Sequence, residues 1–313
     1  MERYLALSGG VGGAKLALGL THVLPPESLT IVVNTGDDFE HLGLHVSPDL
    51  DTLMYTLAGL SNPDAGWGRF GETWACLDTL QQLGGEAWFR LGDRDLAVHL
   101  QRTARLRAGV SLSTITAELF AALGITHRAL PMSDQPVRTM VHCDVGTLDF
   151  QHYFVREHCA PRVTGFSFSG ADVARPAPGV LEAITAPDLC GVLICPSNPF
   201  LSIDPILAVP GVREALQACR APVVAVSPIV AGMAIKGPTA KIMEELALPQ
   251  SAVAVADHYG ELLDGFIVDD SDRELRVEIA AKKLRVACAA SVMVTLDDRI
   301  NLAQTALGFL RSF

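Results

Sequence analysis

Leu5-Ala6-Leu7-Ser8-Gly9-Gly10-Val11-Gly12-Gly13-Ala14-Lys15 is the stretch that decides the fold. An apolar run too short for anything but a buried strand ends at Ser8, four of the next five residues are glycine, and Leu16 to Leu20 resumes at helical spacing. The stretch reads as strand, glycine turn and helix. Glycines let a backbone approach a phosphate closely, and the N–H groups of the helix start then point at the anion with the positive end of the dipole behind them. Gly9, Gly10, Gly12, Gly13 and Lys15 are therefore candidate phosphate-binding residues. Neither familiar cradle is matched, because Lys15 follows Ala14 and precedes Leu16, and because a third dinucleotide-type glycine is replaced by Lys15. Close strand-to-helix packing is the other use such glycines have.

Outward from this turn, Leu29 to Asn34 is a second buried strand that ends in Asn34-Thr35-Gly36-Asp37-Asp38. A right-handed βαβ unit brings both strand C-termini to one edge of a parallel sheet, which places Asp37 and Asp38 beside the glycine loop. Adjacent carboxylates repel one another there. A hard divalent cation that also holds phosphate oxygens would answer them, although Gly-Asp-Asp is also an ordinary turn. Ser47-Pro48-Asp49-Leu50-Asp51-Thr52 opens a helix, with Ser47 as N-cap, Pro48 at the first position and Leu50, Leu53, Leu57 and Leu60 as its core-facing stripe. Asp49 and Asp51 suit the dipole of a first turn, but with Asp37 and Asp38 they make a four-carboxylate neighbourhood that the dipole does not require.

Residues 61–95 hold all three tryptophans and end in Arg90-Leu91-Gly92-Asp93-Arg94-Asp95. Trp and Arg together suit a planar heterocycle bearing anionic groups, while core Trp with surface Arg is the alternative. Asp93 is expected to cap the helix that continues through Leu96, Leu100 and Leu106. Residues 101–180 then change to a helix from Leu112 to Leu123 and short alternating strands over 137–143, 149–155 and 163–168. They read as an inserted α+β subdomain, a wall or lid, between core segments 1–100 and 181–313. Met132-Ser133-Asp134 with Arg138-Thr139 reads as a turn before a strand.

Strands return at Leu189 to Cys195, Pro222 to Val226, Ala252 to Val255 and Phe266 to Val268, with helices filling the remainder. Two of them end in Pro196-Ser197-Asn198-Pro199 and Ser227-Pro228-Ile229, and Lys236-Gly237-Pro238 starts a helix, so polar groups line one sheet edge. Doubly wound folds bind ligands at that edge. The expected class is α/β, a doubly wound, mostly parallel Rossmann-like sheet.

A chain of 313 residues with 49% apolar and 19% charged residues is globular and can bury a large core. Its formal charge of −11 argues against a general nucleic-acid binder, which needs a basic surface. Seven cysteines without a C-x-x-C pair read as reduced thiols of a cytoplasmic protein rather than a disulfide framework or zinc site. No signal peptide or membrane span is expected.

Taken in order, these phrases resemble the 2-phospho-L-lactate transferase family of coenzyme F-420 biosynthesis, and they span nearly the whole chain. The resemblance implies transfer of a phospholactyl-type group (2-phospholactate, phosphoenolpyruvate or 3-phosphoglycerate) from its guanosine diphosphate ester to the deazaflavin FO, with Mg²⁺ present and GMP released. It implies Asp37 and Asp51, with Asp38, as catalytic and metal-site acids, and Asp51, Arg90, Asp49 and Arg94 as FO contacts. The two roles for Asp51 compete. The glycine loop, Ser197, Asn198, Ser227, Lys236 and Gly237 would hold the guanosine diphosphate part, and a homodimer is expected. A distant sister group of nucleotide-sugar-binding regulators shares a related glycine loop and supplies the non-enzymatic alternative.

Overall fold

Seven short apolar segments form the central sheet of the computed structural model, which describes residues 2–63, 67–234 and 237–313. They are β1 (Arg3–Ser8), β2 (Leu29–Val33), β3 (Arg128–Pro131), β4 (Leu189–Ile194), β5 (Val223–Val226), β6 (Gly265–Asp269) and β7 (Arg285–Ala289). Their order is β7-β6-β5-β4-β1-β2-β3, and every pairing is parallel. The α/β doubly wound expectation holds.

Both faces of the sheet are covered, which is why its strands are apolar at nearly every position. Leu5 and Leu7 join Val32, Val192 and Ile194 in one core layer, whereas Tyr4 and Ala6 join Ile31, Val33 and Leu193 in the other. Helices α1 (Gly10–Val23), α2 (Pro48–Leu57), α3 (Asp93–Arg107), α4 (Leu112–Ala122) and α5 (Leu296–Leu310) contribute to the second layer, for example through Leu16, Leu53, Val98, Phe120 and Leu302. Gly19 lets α1 lie against the Arg299 carbonyl of α5, where a Cβ would have no room.

The chain winds from β1 outward to β3, then returns to β4 beside β1 and winds outward the other way. Connections leave to opposite sides of the sheet at β1 and β4, so a crevice opens outside their carboxyl ends. Among the described residues, no helix is long and apolar enough to cross a membrane.

Several local expectations need correction. Residues 101–180 are not wholly separate from the sheet, because this span begins within α3 and contains the edge strand β3; its antiparallel part is confined to Arg138–Cys143, Gly146–Asp149 and Val163–Ser169. The strand expected over 149–155 ends at Asp149, and a wide helical turn, His152–Arg156, follows. Ala252–Tyr259 is a helix despite its alternating Ala and Val, since the Ser251 hydroxyl accepts from the Ala254 N–H as an N-cap. The edge strand β7, expected to be helix, pairs with β6.

Candidate active site

The glycine turn is stitched to the end of β4. Ser197 Oγ accepts from the Gly9 N–H at 3.1 Å and donates to the Gly9 carbonyl at 2.7 Å. A Cβ on Gly12 would run into the Pro196 carbonyl, and one on Gly13 into the hydroxyls of Ser8 and Ser197. Gly9, Gly10 and Gly12 border the crevice, while Gly13 serves the packing beneath it. The first turn of α1 carries no acidic residue, and Gly9 supplies no capping side chain.

Lys15 borders the same crevice and donates from Nζ to the Met293 carbonyl, 2.6 Å away in the loop after β7. Asn198 Oδ1 accepts from the N–H groups of Phe200 and Leu201, and its Nδ2 reaches Thr239 at 3.0 Å. Ser227 folds back on Ile229. Ser197, Asn198, Ser227 and Gly237 all line the crevice, and Lys236 lies outside the described residues.

The crevice is a cavity of about 740 Å³, large enough for a substantial small molecule. Of the four expected acids, Asp37, Asp49 and Asp51 border it and Asp38 does not. All four are buried, between 2% and 7% exposed, so none is a solvated turn residue. Their partners divide them. Asp38 accepts from the Ser47 hydroxyl at 2.8 Å and lies 3.0 Å from His45 Nε2, which diverts Ser47 from the expected cap of α2. Asp51 takes a two-pronged contact from the buried Arg102 of α3, with Nη1 on Oδ2 at 3.0 Å and Nη2 on Oδ1.

Asp37 and Asp49 are joined through Asn34, whose Nδ2 donates to Asp49 at 2.9 Å. Burial and the charge of Asp49 hold the Asp37 carboxyl well above the usual range. Burial raises Asp49 to about 6, opposed by hydrogen bonds from Asn34 and the Gly10 N–H. Asp37 Oδ1 and Asp38 Oδ1 are buried without a hydrogen-bond partner.

The remaining wall is aromatic. Trp88, Phe89 and Arg90 border the cavity, with the Arg90 guanidinium 4.3 Å over the Trp74 ring, and Phe150 stacks on Phe154 across from them. The hairpin of helices beneath is pinned reciprocally. Asp93 caps the helix Ala75–Gln82 through the N–H groups of Ala75 and Cys76, and Glu72 caps α3 through those of Arg94 and Asp95. Asp93 thus caps the neighbouring helix and not its own. Arg94, expected at FO, is exposed, reaches toward the Phe70 carbonyl and does not border the cavity.

Residues 5–307 match the family model described as 2-phospho-L-lactate transferase CofD. The chain belongs to this family. It is accordingly a transferase of the 2-phospho-L-lactate or phosphoenolpyruvate type. A Phosphoenolpyruvate transferase of Kitasatospora aureofaciens is 43% identical over 97% of each chain. A 2-phospho-L-lactate transferase of Methanosarcina acetivorans is 39% identical over 97% of this chain and 98% of its own. A crystal structure of a UPF0052-family protein from Bacillus halodurans shares the fold, with a TM-score of 0.64 at 17% identity over 98% of this chain and all (100%) of that one.

Within this transferase site, the sequence reading missed Tyr55, His99 and Arg102. The signal was available as the spacing Asp95, His99, Arg102, a polar stripe on one face of α3.

Proposed function

We propose that the protein transfers a phospholactyl-type group from its guanosine diphosphate ester to the terminal ribitol hydroxyl of FO, with release of GMP. The observation that carries this reading is one cavity bordered both by a glycine-rich helix start and by the buried carboxylates of Asp37, Asp49 and Asp51. The first suits a diphosphate, and the second suits a cation that bridges to it. Among the relatives, those at 41–43% identity carry the name Phosphoenolpyruvate transferase, which favours the phosphoenolpyruvyl donor.

The donor set fits Mg²⁺. Asp37 and Asp49 are hard oxygen ligands driven toward protonation by burial and mutual repulsion, and Asp37 Oδ1 is an orphaned buried acceptor. In this reading Asp37 and Asp49 hold the ion. Bound there, Mg²⁺ would neutralise diphosphate charge and the departing GMP. The chain's own groups do the rest. The start of α1, with Ser197 holding Gly9 in place, orients the diphosphate, and the walls around Trp88 and Phe150 shelter the reacting phosphorus from water. The ribitol oxygen bonds to the phosphorus that carries the three-carbon acid, the bond from that phosphorus to GMP breaks, and the hydroxyl proton is released. Positioning supplies most of the rate in such transfers.

Chromatography of reactions containing FO, Mg²⁺ and each of the phospholactyl, phosphoenolpyruvyl and phosphoglyceryl donors tests the reading. FO should be converted to a coenzyme F-420-0-type product with matching GMP release, fastest with the phosphoenolpyruvyl donor. No GMP release with any of the three would refute it.

A further inference from the structure

Asp51 differs from Asp37 and Asp49, its neighbours in the acid wall, because a buried cation already answers it. The guanidinium of Arg102, 2% exposed, contacts both oxygens, and the same Nη1 stands 3.4 Å from His99 Nδ1. An Arg N–H can only donate, so Nδ1 is the acceptor in that contact, and Nε2 is the other ring nitrogen. That nitrogen faces Asp95 Oδ2 at 3.4 Å, and Asp95 Oδ1 accepts from the Tyr55 hydroxyl at 2.5 Å. Arg102 thus bridges Asp51 and His99, while His99 Nε2, beside Asp95, is buried without a hydrogen-bond partner. Asp51, Tyr55, Asp95 and His99 border the cavity, and Arg102 lies behind them.

A two-pronged guanidinium fixes the plane of a carboxylate and leaves its outward lone pairs for a ligand. A hydroxyl can donate to those lone pairs. A divalent cation would be set beside a buried positive charge that repels it. We propose that Arg102 is a positioning residue for the acceptor: acting through Asp51, it holds that carboxylate ready for the acceptor hydroxyl and keeps it out of the cation site. His99, whose Nδ1 meets Arg102 Nη1, fixes Arg102 in turn. The proposal rests on the transfer reaction above only for the identity of the hydroxyl.

Arg102→Lys keeps the charge and loses the fork. It should raise the KM for FO by about tenfold or more, with a much smaller change in kcat, while GDP affinity and Mg²⁺ affinity, both measured by calorimetry, stay within about twofold. Asp51→Asn should likewise leave Mg²⁺ affinity unchanged. If Arg102→Met fails to fold, the double variant Asp51→Asn with Arg102→Met, which removes both charges, should melt near the parent and still bind Mg²⁺. Loss of Mg²⁺ affinity in Asp51→Asn or Arg102→Lys would overturn the proposal, as would equal losses for FO and GDP or an unchanged KM for FO. The Mg²⁺ titrations need no turnover, so they decide the assignment of Asp51 even if the parent protein transfers nothing to FO, which would instead defeat the proposed reaction.

Discussion

Helices α1 and α2 begin at the same sheet edge and face the same cavity, yet their first turns are opposites. The start of α1 has four glycines in five positions, no acidic side chain in its first turn and no cap from Gly9. The start of α2 carries Asp49 and Asp51, both buried. Each helix start offers about half a positive charge from its backbone. On α1 part of that charge meets Asp49, which accepts from the Gly10 N–H, and the rest borders the cavity, where an anion can use it. On α2 two carboxyls oppose it, Asp51 held by Arg102 and Asp49 raised by burial to about 6, which leaves Asp49 with Asp37 as the pair a cation would relieve. What a helix start recruits is set by the side chains of its first turn, with the dipole a constant background.

The largest expected effect comes from breaking the acid side. Asp37→Asn removes a carboxylate assigned to the proposed cation site, and activity at submillimolar Mg²⁺ should fall by about a hundredfold, equivalent to about 2.7 kcal/mol, with recovery at higher Mg²⁺. The metal-free melting temperature should not drop, because burial and Asp49 already disfavour the charge on Asp37. Activity titrated against Mg²⁺ decides it, and a curve like that of the parent would remove Asp37 from the cation site.

A smaller effect should appear as pH dependence at Asp49. Its carboxyl lies at about 6 in the folded protein, chiefly through burial, against about 3.9 for an unperturbed Asp. A folded-state pKa above the unfolded one gives stability that is complete below about pH 4 and is lost as pH rises through about 6. The gap corresponds to about 3 kcal/mol. In metal-free protein, thermal melts should show Asp49→Asn gaining on the parent between about pH 4 and pH 7, and saturating Mg²⁺ should cancel that gain. A difference that does not vary with pH would show that the Asp49 charge is not strained.

The two helix starts were also unequally legible. The β1 strand, its turn and α1 are written locally, as an apolar run, glycines and resumed helical spacing. Edge strands β3 and β7 were not recognised, since Arg-Ala-Leu-Pro and Arg-Val-Ala-Cys-Ala pair on one side only and lack the continuous apolar character of the central strands. At α2 the sequence shows four acids close together but not which partner each takes. Arg102 meets Asp51 from 51 residues away, and Ser47 turns from its own helix to Asp38. Such choices are made by tertiary packing. The carboxylates were therefore visible, and their division into an Asp51 paired with Arg102 and an Asp37 and Asp49 raised by burial was not.

The smallest effects sharpen the contrast by pairing one variant from each side. Ser197→Ala removes the hydroxyl that both accepts from and donates to Gly9, while Gly12 and Gly13 stay packed against Pro196 and Ser8. A neutral hydrogen bond contributes about 1 kcal/mol, so GDP affinity should fall by about fivefold and FO affinity should hold. Arg90 sits on the far wall, exposed and stacked over Trp74, where solvent weakens its charge. Arg90→Ala should mirror the first result, weakening FO by about fivefold and leaving GDP unchanged. Calorimetry of both variants with both ligands gives four numbers, and the cross pattern is the informative outcome. If each variant lowered both affinities alike, the cavity would bind its two substrates as one continuous surface, and the opposition between the helix starts would describe charge balance without describing where each ligand sits.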